Sequence, residues 1–223
     1  MGLIREKMQI YLLVRHDNTN GMWQSITYPC MVKIRLFCIL NPKSRTMKNI
    51  VAFGASSSTN SINKQLAAYA AKQVPDAKVH LLDLNDYEMP IYSQDKEEKQ
   101  GIPAKAYAFK KALHASDGIV ISFAEHNSSY TAAFKNIFDW ISRIEKVVWY
   151  NKPMWLLATS TGGGGAQHVL ATAHSRMSIG NPHDIPTFSL PEFNNNFDPD
   201  TGIKNKELQQ KFKAALNVFA EQL

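Results

Sequence analysis

Cysteine is scarce: the 223 residues hold two, Cys30 and Cys38, both in the first fifth of the chain. A disulfide scaffold is excluded for the remainder, and a reducing, cytoplasmic setting is the default expectation. Long apolar runs are also missing. The most apolar N-terminal stretch, residues 31–40, is broken by Lys33 and Arg35, well short of the roughly 18 consecutive apolar residues that span a bilayer. No secretory signal is visible, because the apolar stretch 10–14 is short and Arg15 ends it. Glu6 stands where N-myristoylation wants Ser or Thr. Neither Gly-x-x-x-x-Gly-Lys-Ser/Thr nor Gly-x-Gly-x-x-Gly occurs, which removes the NTPase and dinucleotide fingerprints. His16, His80, His114, His168, His174 and His183 lack metal-ligand spacing, so no metal site is expected.

The net charge of +6 is unevenly spread. Residues 1–46 carry seven Lys/Arg against Glu6 and Asp17, a net of +5, and residues 47–223 carry 18 against 17. No nucleic-acid surface is expected of that nearly neutral remainder. The first 46 residues show no sustained helical or alternating period. They read as a basic N-terminal extension, either a poorly ordered tail or non-native sequence upstream of a true start at Met47, which directly precedes a strand signal. An intact mass from the natural source that includes residues 1–46 would sink the second reading.

From residue 47 onward, short apolar runs alternate with segments of helical period. The runs are 50–53, 79–82, 119–123, 154–158 and 187–190, and they predict five strands of a parallel sheet buried on both faces. Between them, apolar residues recur at helix spacing: Ile62, Leu66, Tyr69, Ala70 and Val74; Ala104, Tyr107, Ala108, Ala112 and Ala115; Phe134, Ile137, Phe138, Ile141 and Ile144. Leu208, Phe212, Ala215, Phe219 and Leu223 mark a last helix. Four or five helices on five strands predict one α/β three-layer sandwich with flavodoxin-like strand order 2-1-3-4-5. In such sheets ligands bind beyond the carboxyl ends of the strands, where strand order reverses, so the loops after strands one, three and four are the candidates.

The first of these loops, residues 54–63, is Gly-Ala-Ser-Ser-Ser-Thr-Asn-Ser-Ile-Asn and opens a helix. Free backbone N–H groups, a positive dipole end and small hydroxyls suit a phosphate. The plainer reading is a helix start with Ser61 as N-cap. The second runs Ala124 to Tyr130 and leads into Lys135-Asn136-Ile137-Phe138-Asp139-Trp140. The third, Ser160-Thr161-Gly162-Gly163-Gly164-Gly165, lets the backbone approach a flat ligand, or is a flexible hinge.

These elements together resemble the NADPH-dependent FMN reductase family. They are the loop ending in Ser61-x-Asn63 with Leu66 following, Glu125-His126-Asn127 leading to Lys135-Asn136-x-x-Asp139-Trp140, and Lys152-Pro153 before the strand that ends in Gly162–Gly165. The segment Asp86-Tyr87-Glu88-Met89-Pro90-Ile91-Tyr92 adds to the likeness, which covers residues 47–223 and leaves 1–46 without a counterpart. The resemblance implies a flavodoxin-like FMN-binding reductase domain that takes electrons from NADPH or NADH and passes them to a small-molecule acceptor: a quinone, azo dye, metal oxyanion or flavin. It implies Ser56, Ser58, Ser61 and Asn63 around the FMN phosphate. Glu125, His126, Asn127 and Ser128 would border the isoalloxazine and ribityl chain, with Thr161, Gly162 and Gly163 at the ring's other edge. No protein nucleophile or general base is required, and His126 is a candidate modulator of the reduced flavin.

The chain departs from the family in two ways. The usual Arg of the phosphate loop is Ser57 or Ser58 in a loop one residue longer, and Pro-Glu-Tyr-Asn reads Ala124-Glu125-His126-Asn127. Weaker FMN binding is expected. Lys135 and Asp139 are spaced to pair on one helix face. Trp140 falls off the main apolar stripe and predicts a second buried surface, read as a homodimer contact. The rival readings are an FMN-binding electron carrier that takes no hydride, and a cofactor-free interaction domain. The near-neutral core disfavours the carrier, which would be acidic for docking.

Overall fold

The computed structural model describes residues 46–223; the reading of residues 1–45 as a basic extension lies outside the described residues. A central strand β1 (Lys48–Ala55) is flanked by β2 (Ala77–Leu82) and β3 (Gly118–Phe123), and β4 (Met154–Thr159) and β5 (Thr187–Leu190) continue beyond β3. All pairings in this sheet are parallel and the order is β2-β1-β3-β4-β5, as the run pattern predicts. Every residue of β3 and β4 is buried, which is why these strands read as unbroken apolar runs rather than as alternations.

Period-two geometry sorts the strand side chains to opposite faces. On one face Phe53, Ile119, Ile121 and Leu156 pack with α3 (Ala104–His114), α4 (Ala132–Ser142) and α5 (Gln167–Met177). On the other, Ile50, Val120, Trp155 and Leu157 pack with α1 (Ile62–Lys72) and α7 (Lys206–Glu221). The chain therefore leaves β1 toward one face and β3 toward the other, which opens a crevice above their carboxyl ends. Among the described residues, no helix is long and apolar enough to cross a membrane.

The helix starts follow the capping rules. Ser61, Ser93, Thr131 and Asn205 each accept a first-turn N–H of α1, α2 (Gln94–Gln100), α4 and α7 respectively. Helix α2, of sequence Gln-Asp-Lys-Glu-Glu-Lys-Gln, has no buried residue, so no apolar period announces it. Two short elements were equally silent: a four-residue helix α6 (Phe193–Asn196), and a hairpin pairing Phe197–Asp198 with Gly202–Ile203.

One inference from the sequence is corrected. The off-stripe Trp140 is buried inside this chain, not against a second copy. Its Nε1 donates to the Pro90 carbonyl at 2.8 Å, and Tyr92 meets its ring edge-on at 5.0 Å. Asn136, one turn earlier, accepts the Tyr92 N–H and donates to the carbonyls of Met89 and Pro90. The second face of α4 thus straps down the segment that follows β2. The Lys135–Asp139 pair forms as its spacing requires.

Candidate functional site

Three loops crown the crevice. The first follows β1, and its geometry starts at Gly54, where an added Cβ would lie 2.4 Å from the Lys64 backbone nitrogen. Only glycine lets α1 approach the strand this closely. Ser56 is buried, and its Oγ accepts the Ser58 N–H at 3.1 Å. Ser57, Ser58, Thr59 and Asn60 are exposed. The Ser61 hydroxyl caps α1 through Lys64 N–H, and its carbonyl takes Gln65 N–H. Among the described residues nothing claims the N–H groups of Thr59, Asn60, Ile62 and Asn63, so unpaired donors cluster at the positive end of α1.

The Asn63 side chain does not join them. It is 2% exposed and turned into the protein. Its Oδ1 accepts Ser122 Oγ–H at 2.7 Å and Thr159 N–H at 3.1 Å, and its Nδ2 donates to the Thr159 carbonyl at 3.0 Å. One amide therefore clasps α1 to the carboxyl ends of β3 and β4. Of the four residues expected around a phosphate, Ser58 has a free hydroxyl, Ser56 and Ser61 have theirs engaged as acceptors, and Asn63 offers its backbone alone. The first cation after the loop in sequence, Lys64, pairs with Asp83. That ammonium, together with the Asn85 N–H, holds the Asp83 carboxyl below the usual carboxylate range. The missing Arg of this loop has no replacement among residues 54–63.

The second loop, which the sequence marks only as a loop, is a tight hairpin. Glu125–His126 pairs antiparallel with Ser129–Tyr130. Asn127 and Ser128 turn it at φ +52° and +60°, the paired left-handed conformation of a type I′ turn. The Asn-Ser dipeptide carried part of this signal, since Asn tolerates that conformation and Ser does so poorly. His126, Asn127 and Ser128 are exposed. The Glu125 carboxylate is committed: Oε2 accepts the Val169 N–H of α5 at 2.9 Å. Behind the hairpin, Thr131 Oγ1 donates to the Ala55 carbonyl at 2.9 Å, which ties this loop to the end of β1. The Tyr130 hydroxyl is buried without a partner among the described residues. Burial pushes that phenol up, and Arg176 pulls it partly back.

The third loop follows β4. Gly165 requires glycine, since its φ is +58° and a Cβ would lie 2.3 Å from Ser189 Oγ. Added Cβ atoms on Gly162, Gly163 and Gly164 would meet nothing within 4 Å. The protein's own packing therefore gives no reason for those three glycines, whereas a flat ligand lying against the loop does. Thr161 is exposed, and the N–H groups of Thr161, Gly162 and Gly163 are unclaimed among the described residues. The Gly162 carbonyl, by contrast, accepts from Glu192 N–H at 3.0 Å and Gly165 N–H at 3.3 Å, which fixes the loop from behind.

The sequence-predicted residues thus lie at the carboxyl ends of three neighbouring parallel strands: unclaimed donors at the start of α1, the exposed hairpin after β3, and glycine backbone after β4. The set fits a mononucleotide that carries a planar ring. Two cavities, of about 250 and 350 Å³, lie along the α4–α5 side and share Arg176. Neither includes the loops after β1 or β4.

Residues 48–196 match the family described as NADPH-dependent FMN reductase. A 2-hydroxy-1,4-benzoquinone reductase from Burkholderia sp. is 36% identical over 119 residues, covering 52% of this chain and 62% of that protein. An NADPH:quinone oxidoreductase from Arabidopsis thaliana is 28% identical over 152 residues, covering 65% and 74%. The match thus spans less than two thirds of the Burkholderia protein's length. In shape, the flavoenzyme NAD(P)H:(acceptor) oxidoreductase FerB from Paracoccus denitrificans aligns with a TM-score of 0.63 at 21% identity, over 78% of this chain and 96% of that one.

Proposed function

Because the chain belongs to the NADPH-dependent FMN reductase family, we propose that it is an NAD(P)H-dependent, FMN-containing oxidoreductase. It passes two electrons to a quinone-like, azo, metal-oxyanion or flavin acceptor. The observation that carries this reading is the glycine loop. Added Cβ atoms at three of its positions would meet nothing, its first N–H groups are unclaimed, and it stands at the same end of the sheet as the anion-ready start of α1.

FMN, when bound, would supply the redox chemistry, a two-electron transfer from the pyridine nucleotide to the acceptor. The chain's residues bind and orient. Ser56, Ser58, Ser61 and Asn63 hold the phosphate, Ser56 and Ser58 through hydroxyl protons and Ser61 and Asn63 chiefly through the backbone, since the Ser56 N–H is taken by the Gly54 carbonyl. The backbone of Glu125 and hydrogen-bonding groups of His126, Asn127 and Ser128 border one edge of the ring, and those of Thr161, Gly162 and Gly163 the other. With no cation in the phosphate loop, the dianion rests on N–H donors and on a helix dipole contributing about 0.3–1 kcal/mol at an exposed site. FMN accordingly binds less tightly here than in relatives with Arg in that loop. The functional unit is residues 47–223, working in the cytoplasm as a homodimer or higher homo-oligomer; with Trp140 consumed internally, this last point rests on the family alone.

The test is the visible absorption of the full chain mixed with FMN and freed of excess ligand, before and after anaerobic NADPH or NADH. Retained flavin bands that bleach with either donor support the proposal and rank the donors. Bands that persist with both make the chain an electron carrier. No retained flavin, together with no FMN-dependent NAD(P)H oxidation, refutes the assignment.

A further inference from the structure

We propose that Glu125 is a positioning residue: its carboxylate holds the hairpin after β3 and the glycine loop after β4 in register, and so sets the width of the flavin slot without touching the flavin. The inference rests on the functional reading above. It starts from a defect in α5. The residue at the helix start is Ala166, at φ +59°, which has no side chain to cap the first turn. Helix starts lacking such a cap leave N–H groups stranded, and polar side chains from elsewhere can satisfy them.

Glu125 does this from 44 positions earlier in the chain, its Oε2 accepting the Val169 N–H at 2.9 Å. An acceptor carrying negative charge is also the favourable partner for the positive end of a helix. The consequence reaches beyond α5, because the glycine loop runs directly into it. Added Cβ atoms on Gly162, Gly163 and Gly164 would meet nothing, and the side-chain bond that reaches them is local, Ser160 Oγ–H to the Gly162 carbonyl at 3.2 Å, so the loop's shape is set largely at its anchors. Toward β5 these are Ser189 Oγ–H to the Gly165 carbonyl, Glu192 N–H to the Gly162 carbonyl and Phe193 N–H to the Ser160 carbonyl. Toward β3 there are two: the Asn63 clasp, which joins Thr159 ahead of the loop to Ser122, and Glu125, which holds Val169 just after it. The clasp fixes where the loop begins, and without Glu125 its exit into α5 is no longer tied to the hairpin, so that end of the slot is free to widen.

The experiment compares wild type, Glu125→Ala and Glu125→Gln as full chains. Gln keeps a side-chain oxygen able to accept the Val169 N–H, whereas Ala removes it. Amide exchange in the flavin-free protein reads the strut itself. FMN affinity and the visible spectrum of bound flavin read its effect on the slot, which a cap serving stability alone would leave unmoved. In Glu125→Ala we expect Val169 exchange to rise and FMN affinity to fall, each by about tenfold, with Glu125→Gln within about twofold of wild type for both. Unchanged Val169 exchange in Glu125→Ala overturns the proposal. So does raised exchange with unaltered FMN affinity, and so does a Gln variant as impaired as Ala. A wild-type chain that binds no FMN would instead remove the functional reading, and the exchange comparison would still decide whether the strut exists.

Discussion

Asn63→Ala separates the two roles that this asparagine can have. The substitution strands the Thr159 N–H and carbonyl and the Ser122 hydroxyl, at positions 1% and 0% exposed where water does not replace the lost amide. Each buried group left unpaired costs about 1–3 kcal/mol. The Ser122 hydroxyl can rotate to another acceptor, which leaves the two Thr159 groups and a total of roughly 3 kcal/mol. For a domain of this size each kcal/mol moves the melting temperature by about 2–4 °C, so a fall of roughly 6–12 °C is expected. The assay is thermal and urea unfolding of the flavin-free full chain, followed by far-ultraviolet circular dichroism. Asn63→Asp should be at least as damaging, because a carboxylate has no donor for the Thr159 carbonyl and brings an unpaired charge to a buried site. A flavin-free Asn63→Ala protein that melts within about 1 °C of wild type, with FMN affinity nonetheless lost, would mean that the side chain is a phosphate ligand and that the clasp reasoning is wrong.

Gly54→Ala puts a methyl group against the backbone of Asn63 and Lys64. Displacing α1 should cost about 1–3 kcal/mol, and an unchanged urea midpoint would refute the close approach. Trp140→Phe deletes the bond to the Pro90 carbonyl and should cost roughly 1 kcal/mol while loosening residues 89–92; unaltered amide exchange at Tyr92 would argue against the strap. Burial first, then the hydrogen bond to Glu145, pushes the Tyr150 phenol up to about 12. Because this folded-state value exceeds the unfolded one near 10, the associated stability is intact below about pH 10 and is lost as pH rises toward 12. Tyr150→Phe should abolish that alkaline decline together with the latest phenolate absorbance step, and a variant that keeps that latest step would contradict it. His126→Ala, on the exposed hairpin, should alter the ratio of rates among quinone acceptors more than FMN retention. Equal turnover across several quinones in variant and wild type would count against it.

How much of this was legible depended on the kind of force involved. The five strands were, because a parallel strand covered on both faces must be apolar throughout, and 119–123 and 154–158 are. Helix α2 was not, since Ser93 capping and the grip of Tyr92 and Arg143 on Glu97 leave no trace in hydrophobic period. Trp140 announced a second buried face correctly, but periodicity cannot name what covers it, and the cover proved to be the segment around Pro90. At the crevice, residue type identified the loops, and side-chain direction stayed hidden. Asn63 and Glu125 look like ligand contacts in sequence, yet their side chains satisfy Thr159 and Val169, main-chain groups 96 and 44 positions away.

The Asn63 clasp also carries a kinetic meaning. It joins α1 to partners 59 and 96 positions downstream, and contacts of such separation form only after the intervening chain has been ordered, against a loop-closure entropy that local contacts do not face. A nascent chain that has emerged only as far as β3 holds the phosphate loop and Ser122 but not the two Thr159 bonds that complete the clasp. The slot is therefore a late product of folding, and FMN added during refolding should trap the finished domain without hastening its appearance. Folding and unfolding rates of Asn63→Ala would carry the signature: most of the destabilisation in faster unfolding, with a φ-value near zero.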